Sequence, residues 1–346
     1  MLQRLWPQVT TRPDLHFHSL DAKRQAGLFV HMPEGAYRSA SFLDGRTFDA
    51  QTVGGWIPLE RIKTTVLNGP RAAGRLHFIF HMGHTGSTLL SRLLDETGVV
   101  QPLREPLVLR EWAGFHDKRG DAASLMSPDD IDACLEIMLR LWARCPEASQ
   151  SAIVKATSTA ARVGGPLMAA RATANAVYLS MAPEPYMAAI LMPSEPRIDI
   201  RHHAEERMRR LIGHLGAAPK PLYAMSRGEL IAASWLTEAL TRESLKEAVR
   251  ERLLLLDFDE MLADLPATLQ RVLSHLHLPD DPETVDRIAH CGILGRYSKA
   301  PEHAYSKELR QQAIEQSRQQ HRAVIAEGMN FLTDIATRHP QLQTIL

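Results

Sequence analysis

An alternating apolar run, Leu76, Phe78 and Phe80, gives way to a turn of small residues, Gly83-His84-Thr85-Gly86-Ser87-Thr88. After the turn the spacing changes to Leu89, Leu90, Leu93 and Leu94. A period of two followed by a period near 3.6 predicts a strand, a loop and a helix N-terminus. The same reading predicts a second strand from Val99-Val100, an amphipathic helix over 129–144 capped by Ser127 or Asp129, and strands over 151–157, 176–181 and 253–256. Helices are expected over 201–215 and 228–250, and in part over 158–173, where Gly164-Gly165-Pro166 marks a break. Strands separated by helical stretches predict an α/β fold: a parallel sheet of about four or five strands flanked by helices.

The ends of the chain read differently. Across residues 1–70, Gly35, Gly45, Gly54, Gly55 and Pro58 punctuate short apolar runs. This predicts an appended N-terminal segment of strands or loops packed on a main domain from 71 to 346. Asn68-Gly69-Pro70 breaks the chain before the first strong strand. From 306 to about 339 the stripe Ile314, Ser317, His321, Val324, Gly328, Phe331, Ile335 steps by three and four, which predicts one long C-terminal helix. Its first half is Gln-rich and its second half apolar. Docking by the far half, a lid and a homodimer contact all fit that pattern.

Composition narrows the function. The chain has 346 residues, is 45% hydrophobic and carries no formal net charge, which supports a sizeable core and argues against a broad nucleic-acid surface. Three scattered cysteines, Cys134, Cys145 and Cys291, fit a reducing cytoplasm better than a disulfide framework. No run approaches the roughly 18 apolar residues of a membrane span, and the N-terminus lacks the apolar core of a signal peptide.

The turn at 83–88 carries the chemistry. Backbone N–H groups at a helix N-terminus, aided by the helix dipole, attract anions. Gly83 and Gly86 let the backbone curl inward, and Thr85, Ser87 and Thr88 add hydroxyl donors. The turn is not a Walker A motif, because Gly86-Ser87-Thr88 stands where Gly-Lys-Ser/Thr is required. Its form, followed by Leu-Leu-Ser-Arg-Leu-Leu-Asp, resembles the P-loop sulfotransferase family and in particular its diverse bacterial branch. Glu105-Pro106 after the second strand, Lys155 closing a strand, and the aliphatic strand ending in Asp257-Phe258-Asp259 fall in the family's order.

The resemblance implies transfer of a sulfuryl group from PAPS (3′-phosphoadenosine 5′-phosphosulfate) to a hydroxyl or amine. The acceptor class is open among small molecules, lipids, carbohydrates and peptides. The turn would cradle the 5′-phosphosulfate, with no metal required. His84 stands where the family usually has Lys or Arg and would donate to the bridging oxygen. Glu105 would take the acceptor proton. Lys155 lies at the sheet edge where open α/β folds bind ligands. The family's Arg and Ser for the 3′-phosphate are absent: Met181 and Ala189 occupy the matching positions, and only Pro183 remains. Arg296 and Lys299 are candidate substitutes. Arg92, on the loop helix, is either a surface residue or a ligand. Trp112, Phe115, Tyr186 and Met192 either wall an acceptor pocket or pack the core.

Two other readings remain. A non-catalytic nucleotide-binding or scaffold protein on the same fold accommodates the missing phosphate ligands. An ATP-dependent P-loop kinase draws on the acidic end of the leucine strand, but lacks the loop lysine. His81 with His84, and His202-His203 with Glu205 and Glu206, lack the partners or spacing of a metal site.

Overall fold

The computed structural model describes residues 2–49, 51–146, 150–192, 200–295 and 306–345. After short helical turns over Leu2–Leu5 and Trp6–Gln8 comes an antiparallel sheet of β1 (Leu15–Asp21), β2 (Ala26–His31) and β3 (Gly54–Pro58), followed by α1 (Leu59–Leu67). The main sheet contains β4 (Arg75–His81), β5 (Val100–Arg104), β6 (Ser151–Lys155), β7 (Ala176–Ser180) and β8 (Leu253–Asp257). Its order is β5-β6-β4-β7-β8 and every pairing is parallel. The five strands therefore bring their C-terminal ends to one edge, with β4 in the centre.

Helices cover both faces of this sheet. In chain order they are α2 (Ser87–Asp95), α3 (Leu107–His116), α4 (Pro128–Trp142), α5 (Gly164–Ala169), α6 (Pro183–Leu191), α7 (Ala204–Leu215) and α8 (Arg227–Val249). Five more follow: α9 (Phe258–Ala263), α10 (Leu265–His275), α11 (Pro282–Ala289), α12 (Lys307–Gln320) and α13 (Arg322–Arg338). Strand alternation divides the core. Phe78, Phe80, Val154 and Tyr178 join one buried cluster, whereas Ile79, Ile153, Val177 and Leu179 join the other. The first cluster includes Trp6, Phe17 and Phe29 of the N-terminal sheet, and the second includes α2, α6 and much of α8.

Polar contacts tie residues 1–70 to the body. Glu111 on α3 accepts from Ser19 Oγ and from the Leu20 N–H. Fully buried Arg104 donates to the carbonyls of Tyr37, Arg38 and Ala40. The Leu43 N–H donates to Arg104 O at 2.6 Å, so the segment around Phe42 runs beside the end of β5.

The stretch expected to form one helix over 306–339 is two helices, with a break at His321 (φ −115°, ψ 20°). Both halves touch α6, and the second half packs mainly on α8. Ser317 Oγ donates to Ala188 O on α6. In α13, Gly328 meets Gly228 of α8 so closely that a Cβ on Gly228 would sit 2.2 Å from Val324 O. Gly164-Gly165-Pro166, expected as a break, instead begins α5, directly after a 3-10 helix over Ser158–Val163.

Candidate nucleotide-binding site

The turn at 83–88 leaves the end of β4, the central strand. Gly83 (φ 90°), His84 (φ 56°) and Gly86 (φ 70°) are all left-handed. Left-handed backbone suits glycine and is costly for histidine, by roughly 1–3 kcal/mol. Gly86 is also confined by space: an added Cβ would lie 2.0 Å from the Phe258 ring, which follows β8. Gly86 is the N-cap of α2, and no side chain caps that helix. The first N–H groups of a helix have no intrahelical acceptor, so the turn presents donors to an incoming anion.

Hydroxyls flank those amides. Thr85 Oγ1 donates to Leu179 O at 3.4 Å, holding the turn against β7. Thr88 Oγ1 at the start of α2 and Thr157 Oγ1 just after β6 are both buried without a hydrogen-bond partner among the described residues. Two orphaned donors beside one turn are costly to keep unless a polar ligand meets them.

His81, the last residue of β4, has a fixed role. Its Nδ1 accepts the Gly83 N–H at 3.0 Å, which places the ring proton on Nε2, facing Ala156 O at 2.9 Å. The imidazole thus shapes the turn from behind. His84 is half-buried at the turn's crest.

Beside the turn, Lys155 and Glu105 meet across β6 and β5. Lys155 is 0% exposed and its Nζ donates to Glu105 Oε1. Glu105 is 16% exposed and sits at φ 51°, its N–H donating to Lys155 O at 2.7 Å. The side chain and main chain of one residue thus engage the other. The N-terminal segment adds Phe42, whose ring lies 5.8 Å from Lys155 Nζ and 3.7 Å from the Arg46 guanidinium carbon.

The remaining candidates divide. Arg92 is half-buried, its pKa lowered by burial, and donates to Ser41 Oγ. Trp112 and Tyr186 are core residues, and Trp112 Nε1 donates to Ile131 O. Phe115 packs against the first core cluster and Met192 against the second. Met181 and Ala189 are buried in apolar surroundings, and Trp235 Nε1 donates to Met181 O. Arg296 and Lys299 lie outside the described residues. Asp257 caps α9 through the Asp259 and Glu260 N–H groups, and Asp259 pairs with Arg310. His202 packs edge-on against His203, and among the described residues no group of three or more His, Cys, Asp or Glu could hold a metal.

Several residues at this edge escaped the sequence reading. Phe42 and Arg46 come from the N-terminal segment and Arg310 belongs to α12, while Phe258 was seen only as part of the acidic end of the last strand. Arg310 stacks over Phe258 at 4.6 Å, on the ring that confines Gly86. Nothing local in a Gln-rich helix singles out Arg310.

No family model matches the chain, and no curated protein matches it. Its fold is similar to solved sulfotransferase structures. The sulfotransferase domain from the curacin biosynthetic pathway shares 14% identity at a TM-score of 0.39, over 77% of this chain and 99% of that one. Sulfotransferase STF9 from Mycobacterium avium shares 12% at 0.40, over 73% and 78%. Retinol dehydratase in complex with androsterone and PAP (3′,5′-bisphosphoadenosine) shares 11% at 0.32, over 91% and 96%.

Proposed function

We propose that the protein is a sulfotransferase moving a sulfuryl group from PAPS to a hydroxyl or amine acceptor. The observation that carries this reading is the uncapped left-handed turn at the end of β4, with orphaned hydroxyls beside it and a buried Lys155–Glu105 pair next to it. The amides of 83–88, with Ser87 and Thr88, hold the 5′-phosphosulfate. Charge develops on the bridging oxygen as the sulfur–oxygen bond breaks, and donors already aimed there stabilise it. His84 supplies a further donor to that oxygen. Glu105 takes the acceptor proton as the new bond forms between sulfur and the acceptor oxygen or nitrogen, and PAP leaves with the displaced electron pair. Lys155 occupies Oε1 and orients the carboxylate, so that Oε2 is the base.

Titration of the full chain with PAP, ADP and ATP, with and without Mg²⁺, tests this reading. Binding of PAP, followed by transfer of labelled sulfate from PAPS to an acceptor, is expected. Nucleotide binding that requires Mg²⁺ and prefers ATP would overturn it, as would failure to bind PAP.

A further inference from the structure

At the outer end of the sheet, α12 packs over α9 and the start of α6. A cavity of about 480 Å³ lies between them, lined among others by Asp259, Lys307, Arg310, Glu315 and Arg318. Its charges are not equally engaged. Arg318 is held in a two-pronged pair with Glu184 at 2.8 and 2.9 Å, and its pKa is raised by that contact. Lys307 Nζ donates to a neutral acceptor, Leu262 O, at 3.2 Å. Arg310 gives Nη1 to Asp259 at 2.7 Å, yet its Nη2 is buried and has no partner among the described residues. The Arg310 side chain is only 12% exposed. A buried guanidinium nitrogen without an acceptor costs free energy that a bound anion would return.

The position of that nitrogen indicates which anion. Arg310 stacks on the Phe258 ring, and the same ring presses on Gly86 of the phosphosulfate turn. One aromatic ring therefore separates the two anion sites. The start of α6, nearer in sequence, is a poor alternative. Pro183 and Pro185 remove two of its N–H donors, and Met181 and Ala189 face the core. We infer that Arg310, assisted by Lys307, binds a second phosphate group of the nucleotide held by the turn, and so selects nucleoside bisphosphates over nucleoside 5′-monophosphates. This inference rests on the nucleotide reading above. It assigns the selection to a side chain of the C-terminal helix pair.

The test compares PAP with adenosine 5′-monophosphate by titration calorimetry on the full chain, parent and variants. The parent is expected to prefer PAP. Arg310→Gln, which keeps a polar side chain but removes the guanidinium, is expected to weaken PAP roughly ten- to hundredfold, the usual range for a lost charge-assisted hydrogen bond, and to leave the monophosphate within about twofold. Arg310→Lys recovers part of the loss. Thermal unfolding of each variant shows whether it is folded. Equal weakening of both nucleotides in a folded Arg310→Gln overturns the assignment, as does a parent that binds both equally; the nucleotide reading survives either result. A parent that binds neither overturns both.

Discussion

Lys155, wholly buried at the end of β6, gives a proton donor to Glu105 at the end of β5, and the Glu105 N–H returns a bond to Lys155 O. The carboxylate is thereby fixed at the C-terminal edge of the sheet, at the end of the strand next to β6, with its left-handed backbone held by both contacts. Glu105→Gln keeps an acceptor for the ammonium. It is expected to stay folded, to bind PAP like the parent and to lose sulfuryl transfer. Lys155→Met leaves the carboxylate without its cation and is expected to cost about 3–5 kcal/mol, the range for one-sided loss of a buried pair. Denaturant unfolding reads that cost. A Lys155→Met variant as stable as the parent would mean that the pair does not hold the site together.

Gly86 has neither the backbone angle nor the space for a side chain. Gly86→Ala places a Cβ against the Phe258 ring at φ 70°. The combined backbone and packing cost is expected to be about 2–4 kcal/mol, with loss of PAP binding. Gly86→Ala with Phe258→Leu separates the two contributions. The smaller side chain relieves the collision but not the dihedral strain, so stability should recover in part while nucleotide binding stays weak. Full recovery of binding would show that the turn does not need its left-handed N-cap.

The site's central part was legible because it is local. A period change, two glycines and three hydroxyl residues within one short segment specify strand, turn and helix start, and the structure has them at β4 and α2. The parallel sheet followed from strands separated by helices. The rest depends on contacts distant in sequence. Phe42 reaches Lys155 from the N-terminal segment, and Arg310 reaches the turn through Phe258, across more than two hundred residues. No periodicity encodes such meetings. The break at His321 was missed because the apolar stripe runs through it; what changes there is what lies beneath the helix, α6 before and α8 together with α6 after.

Acid should destabilise the protein in two stages. Burial lowers His16 to about 3, with the charges of His18 and Arg144 adding to the effect, and lowers His77 to about 4, aided by His277 and Arg75. Unfolding restores ordinary values near 6.5, so between pH 6.5 and about 4 the unfolded chain binds more protons and stability falls as pH falls. For Glu238, burial acts to raise the pKa, but the charges of Arg210 and Arg207 outweigh it and the net shift is downward. Its contribution is complete above the ordinary value of 4.5 and is lost as pH drops through the lowered folded value. The urea midpoint between pH 8 and pH 4 should decline from about pH 6.5. His77→Gln, which keeps an acceptor for the Asn175 N–H but does not titrate, should make that first decline shallower. A flat midpoint across this range would show that the histidines are not buried neutral in solution.

The N-terminal seventy residues should be inseparable from the rest in folding. Arg144, fully buried at the end of α4, donates to Leu15 O at 2.8 Å, to Arg12 O at 2.6 Å and to Val9 O. Burial lowers its pKa to about 10, so it remains a cation at neutral pH and needs those three carbonyls. A chain beginning at residue 71 would strand this charge and expose the cluster that Trp6, Phe17 and Phe29 share with Phe78, Phe80 and Trp112. An uncompensated buried charge and a core opened on one side act together, because neither can relax without disturbing α4. The truncated chain is therefore expected to aggregate or to lack a cooperative thermal transition. In the full chain, Arg144→Met is expected to cost about 3 kcal/mol by leaving the carbonyls without donors, even though the substitute fills much of the space. Scanning calorimetry of both proteins checks this. A sharp transition near the parent's in the 71–346 chain would establish the first seventy residues as a dispensable appendage.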